Sequence, residues 1–138
     1  MKHAFSKFAV IAVTLAAALL LYPRFSQPDT PDEQIILADG AAREAWLNLR
    51  GWQVGEPEIT EVRLPQSWQS DAGQSWLRLQ TAQGLYPERF AGCDAVRCLY
   101  PVTDPQRQHL FAELLLCENV LVGAQVYDAG TGLMQSVR

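Results

Sequence analysis

Cys93, Cys98, Cys117 and His109 are the residues of this 138-residue chain best equipped for nucleophilic or metal chemistry. Three thiols are an odd number. They form no Cys-x-x-Cys pair and no clustered histidines accompany them, so the spacing does not describe a zinc site. His3 lies in the N-terminal head and His109 stands alone, with no orienting partner visible beside it. A cysteine nucleophile needs a base that is itself held in place, and the sequence offers none. Glu88, Arg89, Asp94 and Arg97 cluster around Gly92. Acid–base work would require two of these groups to converge on a cavity with separated pKa values; as solvated loop charges they need no further explanation. No catalytic residue, metal site or cofactor is therefore expected, and the balance points away from an enzyme.

Tryptophan is the other conspicuous residue type. Trp68, Ala72, Trp76 and Leu79 recur at spacings of four, four and three, one face of a helix. Pro65 suits the first helical position, where its missing N–H costs nothing. Gln69, Asp71, Gln74, Arg78 and Gln83 supply polar positions, and Gln80 lies beside Leu79 near the helix end. Gly73 weakens the helix by roughly 1 kcal/mol relative to alanine or lets a strand approach closely. Gly84 ends the helix, and Leu85, Tyr86, Pro87 and Phe90 form a short second turn stopped by Gly92. Indoles at this spacing belong first to a core. The alternative is a groove between helix and sheet lined by Trp52, Trp68 or Trp76, which exposure of the indoles would reveal.

These residues must be held by flanking elements. Asp39 can cap a first helix on which Ala42, Ala45, Trp46 and Leu49 share a face, with residues 35–37 as an earlier turn of it. Gly51 suits the left-handed position after that helix, and Trp52 folds back towards Leu47. Residues 59–64 alternate as a short strand with Val62 and Leu64 inward. Strands follow at 96–102, 110–117 and 120–127. Pro101 points to an edge or a bulge, and Glu118-Asn119 is a tight connection lacking the preferred glycine. Gly123 interrupts the last of these strands, and 128–132 forms a turn before a short tail. The expected fold is α+β: two main helices on one face of an antiparallel sheet of about four strands. Folding 96–102 onto 110–117 brings the start of one strand near the end of the next. That favours a Cys93–Cys117 disulfide over Cys98–Cys117, although Cys93–Cys98 could close a local loop and three buried thiols are equally compatible.

The N-terminus reads as an address. Lys2, His3 and Lys7 precede an apolar run over 8–22, the pattern of a signal anchor or secretory signal. The run falls short of the roughly 20 residues of a spanning helix unless flanking residues join it. No small-x-small site follows Tyr22, which favours an uncleaved anchor over a cleaved signal peptide; a buried core helix is the third reading. Lys2 and Lys7 ahead of the run, against Arg24 behind it, favour a cytoplasmic N-terminus and an exported C-terminal domain. The organisation is thus an anchor or signal over 1–25, a proline-bearing linker over 26–34 and a domain over 35–138. Expected partners are the lipid bilayer and an envelope protein or peptide. A net charge of −4 excludes nucleic acid, whose binding needs a Lys/Arg surplus.

Taken in order, Gly51-Trp52, Leu64-Pro65, Trp68, Trp76, Leu79-Gln80, Gly84, Phe90 and Gly92 resemble the bacterial family called domain of unknown function 4830. Tyr100, Val122-Gly123 and 132–134 extend the resemblance over about 35–138. It implies a short protein with one N-terminal membrane segment and one small extracytoplasmic domain, with no activity to carry across. Matching positions are Gly51, Trp52, Pro65, Trp68, Trp76, Gln80, Gly84, Gly92 and Gly123. The chain departs from the pattern at Leu77, where asparagine is usual, and at Ala124-Gln125, which replaces glycine-aspartate. The cysteines lie outside the pattern. The expected function is a non-enzymatic, membrane-anchored interaction or accessory domain at the inner membrane's outer face; the alternative is a small-ligand or peptide binding module.

Overall fold

The computed structural model describes residues 34–137. The expected anchor (1–25) and all but the last residue of the 26–34 linker lie outside the described residues. Among those described, no helix is long and apolar enough to cross a membrane.

Helix α1 (Gly40–Asn48) starts where Asp39 accepts a hydrogen bond from the Ala42 N–H at 2.8 Å. It ends at Gly51, whose φ of +88° turns the chain back so that the Trp52 N–H donates to the Leu47 carbonyl. The buried face differs from the expected one. Leu47 is fully buried, whereas Leu49 rolls outward to 84% exposure beyond the last helical turn and Ala45 is exposed. Residues 35–37 are not an earlier helical turn but extended, with Ile36 bridging Val120.

Strands β1 (Glu58–Arg63), β2 (Asp94–Pro101), β3 (Leu110–Cys117), β4 (Val120–Asp128) and the two-residue β5 (Met134–Gln135) form one antiparallel sheet in chain order. The sheet is a five-stranded meander, one strand more than expected. Glu118 and Asn119 both take positive φ, 49° and 67°, giving a two-residue hairpin turn without glycine. Pro101 sits at the end of an interior strand, beyond the reach of β1, and its carbonyl accepts the Gly55 N–H. It marks a strand end, not an edge.

Helix α2 (Asp71–Ala82) starts later than the sequence suggests. Ser70, not Pro65, governs its start, its hydroxyl accepting the Gly73 N–H. Pro65 and Trp68 therefore belong to the loop before the helix, and Ala72 is exposed. Gly84 (φ +79°) ends α2, and Gly92 (φ +74°) follows the 3-10 turn Pro87–Phe90.

The helices do not share a face. Cys98, Tyr100, Ala112, Leu114 and Leu116 point to the side covered by α1, joining Leu47 and Trp52. Ala95, Leu115, Cys117 and Val122 point to the other, joining Trp68, Trp76 and Phe90. Since successive strand residues face opposite ways, the run Leu114-Leu115-Leu116-Cys117 loads both faces with apolar surface, and each needs its own cover.

Candidate functional site

The α2 face of the sheet carries a groove of about 430 Å³ walled by Leu64, Pro65, Trp68, Trp76, Leu115 and Met134, with Glu113 and Gln125 among its lining. The loop before α2 places the first indole. The Pro65 carbonyl accepts the Gly92 N–H, and the Gln74 side chain donates to the Trp68 carbonyl. Glycine at 73 leaves room for this: a Cβ there would lie 3.2 Å from that of Trp68 and 3.0 Å from the Ser70 hydroxyl. The close approach is made by the loop, not by a strand. The indoles of Trp68 and Trp76 stack, with centroids 5.9 Å apart and planes at 22°, and both remain partly exposed.

Trp76 is held from two directions. Its Nε1–H donates to Gln125 Oε1 at 3.1 Å, and its ring lies on Gly123, where a Cβ would come within 2.9 Å of the indole. Behind it lies a connected set of buried amides. Gln80 Nε2 donates to the same Gln125 oxygen at 3.0 Å, while Gln80 Oε1 accepts the Ala124 N–H at 2.8 Å. Gln83 Nε2 donates to the Ala124 carbonyl at 2.8 Å, and Gln83 Oε1 accepts the Val137 N–H at 2.9 Å. The Val137 carbonyl in turn accepts from Trp52 Nε1 at 2.6 Å.

These amides complete a sheet edge. Away from β3, the β4 backbone is paired by residues 35–37 at one end, through Leu37 N–H to Asn119 and Leu121 N–H to Ile35. At the other end β5 pairs with Val126 and Tyr127. Ala124 falls in the gap, and the side chains of Gln80 and Gln83 take the place of a neighbouring strand. Unpaired, those backbone groups would each cost a buried hydrogen bond.

The positions singled out by sequence thus divide. Pro65, Trp68 and Trp76 wall the groove, and Gln80 supports it from beneath. Trp52 does not line it: only 7% exposed, it belongs to the core on the opposite face, with the Arg107 guanidinium 4.6 Å from its ring centroid. Gly51, Gly84 and Gly92 serve the backbone. Gln83, Gln125 and Val137 were missed. Gln80 and Gln83 lie four and seven residues after Trp76, so helical spacing alone places both amides on the tryptophan face. Ala124-Gln125, a departure from the resembled pattern, is where the amide network meets the sheet.

The charged cluster around Gly92 does not converge. Arg97 pairs with Glu113 at 2.6 Å, Asp94 with Arg63 at 3.1 Å, and Arg89 lies over Tyr86. His109 finds Asp128 at 3.7 Å, across from the turn at 128–132. Among the described residues, no group of three or more histidine, cysteine or acidic side chains could hold a metal. All three cysteines are free thiols. Comparison of the chain with known protein families, curated proteins and solved structures finds no match.

Proposed function

We propose that this protein is a non-enzymatic binding domain, tethered to the outer face of a bacterial inner membrane by its N-terminal segment. Its groove receives an apolar side chain of an extended peptide segment from an envelope partner. The observation that carries this reading is the stacked, partly exposed Trp68–Trp76 pair. A core would bury both faces of such a pair, whereas this one opens onto a concave apolar surface.

The polar atoms of the groove narrow the ligand. Gln125 Oε1 already accepts two hydrogen bonds, and Glu113 is paired with Arg97. A sugar would bring hydroxyls needing new partners, while an apolar side chain needs only the indole faces, Leu64, Leu115 and Met134. The same commitments argue against acid–base catalysis, since Glu113 is the one titratable side chain among the groove residues. The tether and orientation rest on the charge pattern before the apolar N-terminal run and on the resemblance to domain of unknown function 4830, a kinship that we also propose.

Titration of the labelled protein with extended peptides bearing proline, leucine or aromatic residues, followed through the indole N–H resonances, tests the groove. The expected result is movement of the Trp68 and Trp76 signals with Trp52 unchanged. Trp68→Ala is expected to weaken binding at least tenfold, as loss of an aromatic anchor does, in protein that urea unfolding shows to remain folded at the titration temperature despite the lost packing on the α2 face. Equal shifts at all indoles, or none, would remove the groove as the site.

A further inference from the structure

One cluster of reactive side chains lies outside the groove. Strand register places Val96 opposite Leu116, so Ala95 faces Cys117 and Cys93 sits diagonally beside it on the same face of the sheet. The two thiols are near enough for Cys93 to act on the Cys117 sulfur. Their surroundings differ. Cys93 is exposed in the turn ahead of β2, whereas Cys117 is buried with Leu64, Ala95 and Leu115. Cys98 is fully buried on the other face, among Tyr100 and Leu114. The sheet itself separates it from the pair.

We propose that Cys93 and Cys117 are a dithiol–disulfide couple, a single cross-link between the start of β2 and the end of β3 that is entered through Cys93. The chemistry is exchange with a donor disulfide, either a small molecule or a thiol–disulfide oxidoreductase. The Cys93 thiolate attacks one donor sulfur, breaking the donor S–S bond and expelling one thiolate. Cys117 then loses its proton to solvent and attacks Cys93 Sγ. The mixed disulfide breaks and the second donor thiolate leaves. The two protein thiols lose two electrons and two protons, and the donor disulfide is reduced to two thiols.

The order follows from access, because a donor can reach the exposed sulfur and not the buried one. Burial also pushes the Cys117 thiol up to about 11, with the neighbouring Cys93 adding to the shift, so the closing step is the slow one near neutrality. The couple is a property of the folded domain and stands apart from the proposed location. Location decides only whether the bridge persists, since an exported domain keeps disulfides that reducing cytosol would open.

The test uses purified, reduced full-length protein treated with oxidised glutathione, sampled by acid quench and mapped by peptide mass spectrometry. The expected product joins the Cys93 and Cys117 peptides, with Cys98 alkylated only after unfolding. Cys117→Ala is expected to stop at a stable glutathione adduct on Cys93, and Cys98→Ser to form the bridge normally. Closure of the preformed adduct should accelerate about tenfold per pH unit between pH 7 and 9, following the thiolate fraction of the buried partner. A persistent wild-type adduct at Cys93, or any bridge that includes Cys98, would overturn the proposal.

Discussion

At the scale of single residues, the most consequential side chains are amides in places where apolar residues would be expected. Gln80 is fully buried yet satisfied, bonded to the Ala124 N–H, Gln83 and Gln125. Replacing it by a chain of similar volume removes only the polar contacts. Gln80→Met is therefore expected to cost about 1–3 kcal/mol, the penalty of stranding a buried backbone donor, and urea unfolding would measure it. Asp104 gives a pH signature. The Gln106 N–H first, and the Arg107 side chain second, hold its carboxyl below the usual aspartate range. A lowered folded value means stabilisation present above the unfolded value, roughly pH 4, and lost as pH falls through the folded one. Asp104→Asn should therefore be less stable than the parent at neutral pH, with the two unfolding curves converging in acid.

At the scale of elements, Gly123 sets how closely α2 packs on the sheet. The Trp76 ring occupies the space in which a side chain on β4 would stand, and Leu115 closes it from the neighbouring strand at 3.3 Å. An indole wedged between α2 and the sheet has little room to give. Gly123→Ala is expected to cost about 1–3 kcal/mol through overpacking. It should also shift the Trp76 indole resonance, whereas a strand weakened only in its backbone would leave that signal in place. The glycines ending α1, α2 and the 3-10 turn do a different job. They meet left-handed backbone requirements, and no Cβ clash is involved at Gly51 or Gly84.

At the scale of the whole molecule, the C-terminal tail joins parts of the chain that are far apart in sequence. Val137 is fully buried, its N–H bonded to Gln83 and its carbonyl to Trp52, so the tail ties the end of α2 to the core beneath α1. Deleting residues 134–138 removes both bonds, the buried valine and the pairing of β5. The expected loss is about 2–5 kcal/mol from these contributions together, read by thermal unfolding. Trp52 fluorescence should shift to the red as its ring is opened to water.

What the sequence alone determined is local. The cap at Asp39, the glycine stops at 51, 84 and 92, the limits of β3 and the tight turn at Glu118-Asn119 follow from short-range sterics and hydrogen bonding, which a few neighbouring residues decide. The walls of the groove were half legible in the same way, because Trp68 and Trp76 stand out by type. That Trp68 leaves the helix was not, because a serine cap five residues after Pro65 outcompetes the proline as the helix start. Only the tertiary structure decided that the two helices cover opposite faces and that two polar helix residues, Gln80 and Gln83, are buried. A glutamine is worth burying only where backbone groups lack partners. The unpaired stretch of β4 at Ala124 exists because residues 35–37 and β5 cover the strand on either side and stop short of its middle, a match among segments up to about a hundred residues apart that no local pattern records.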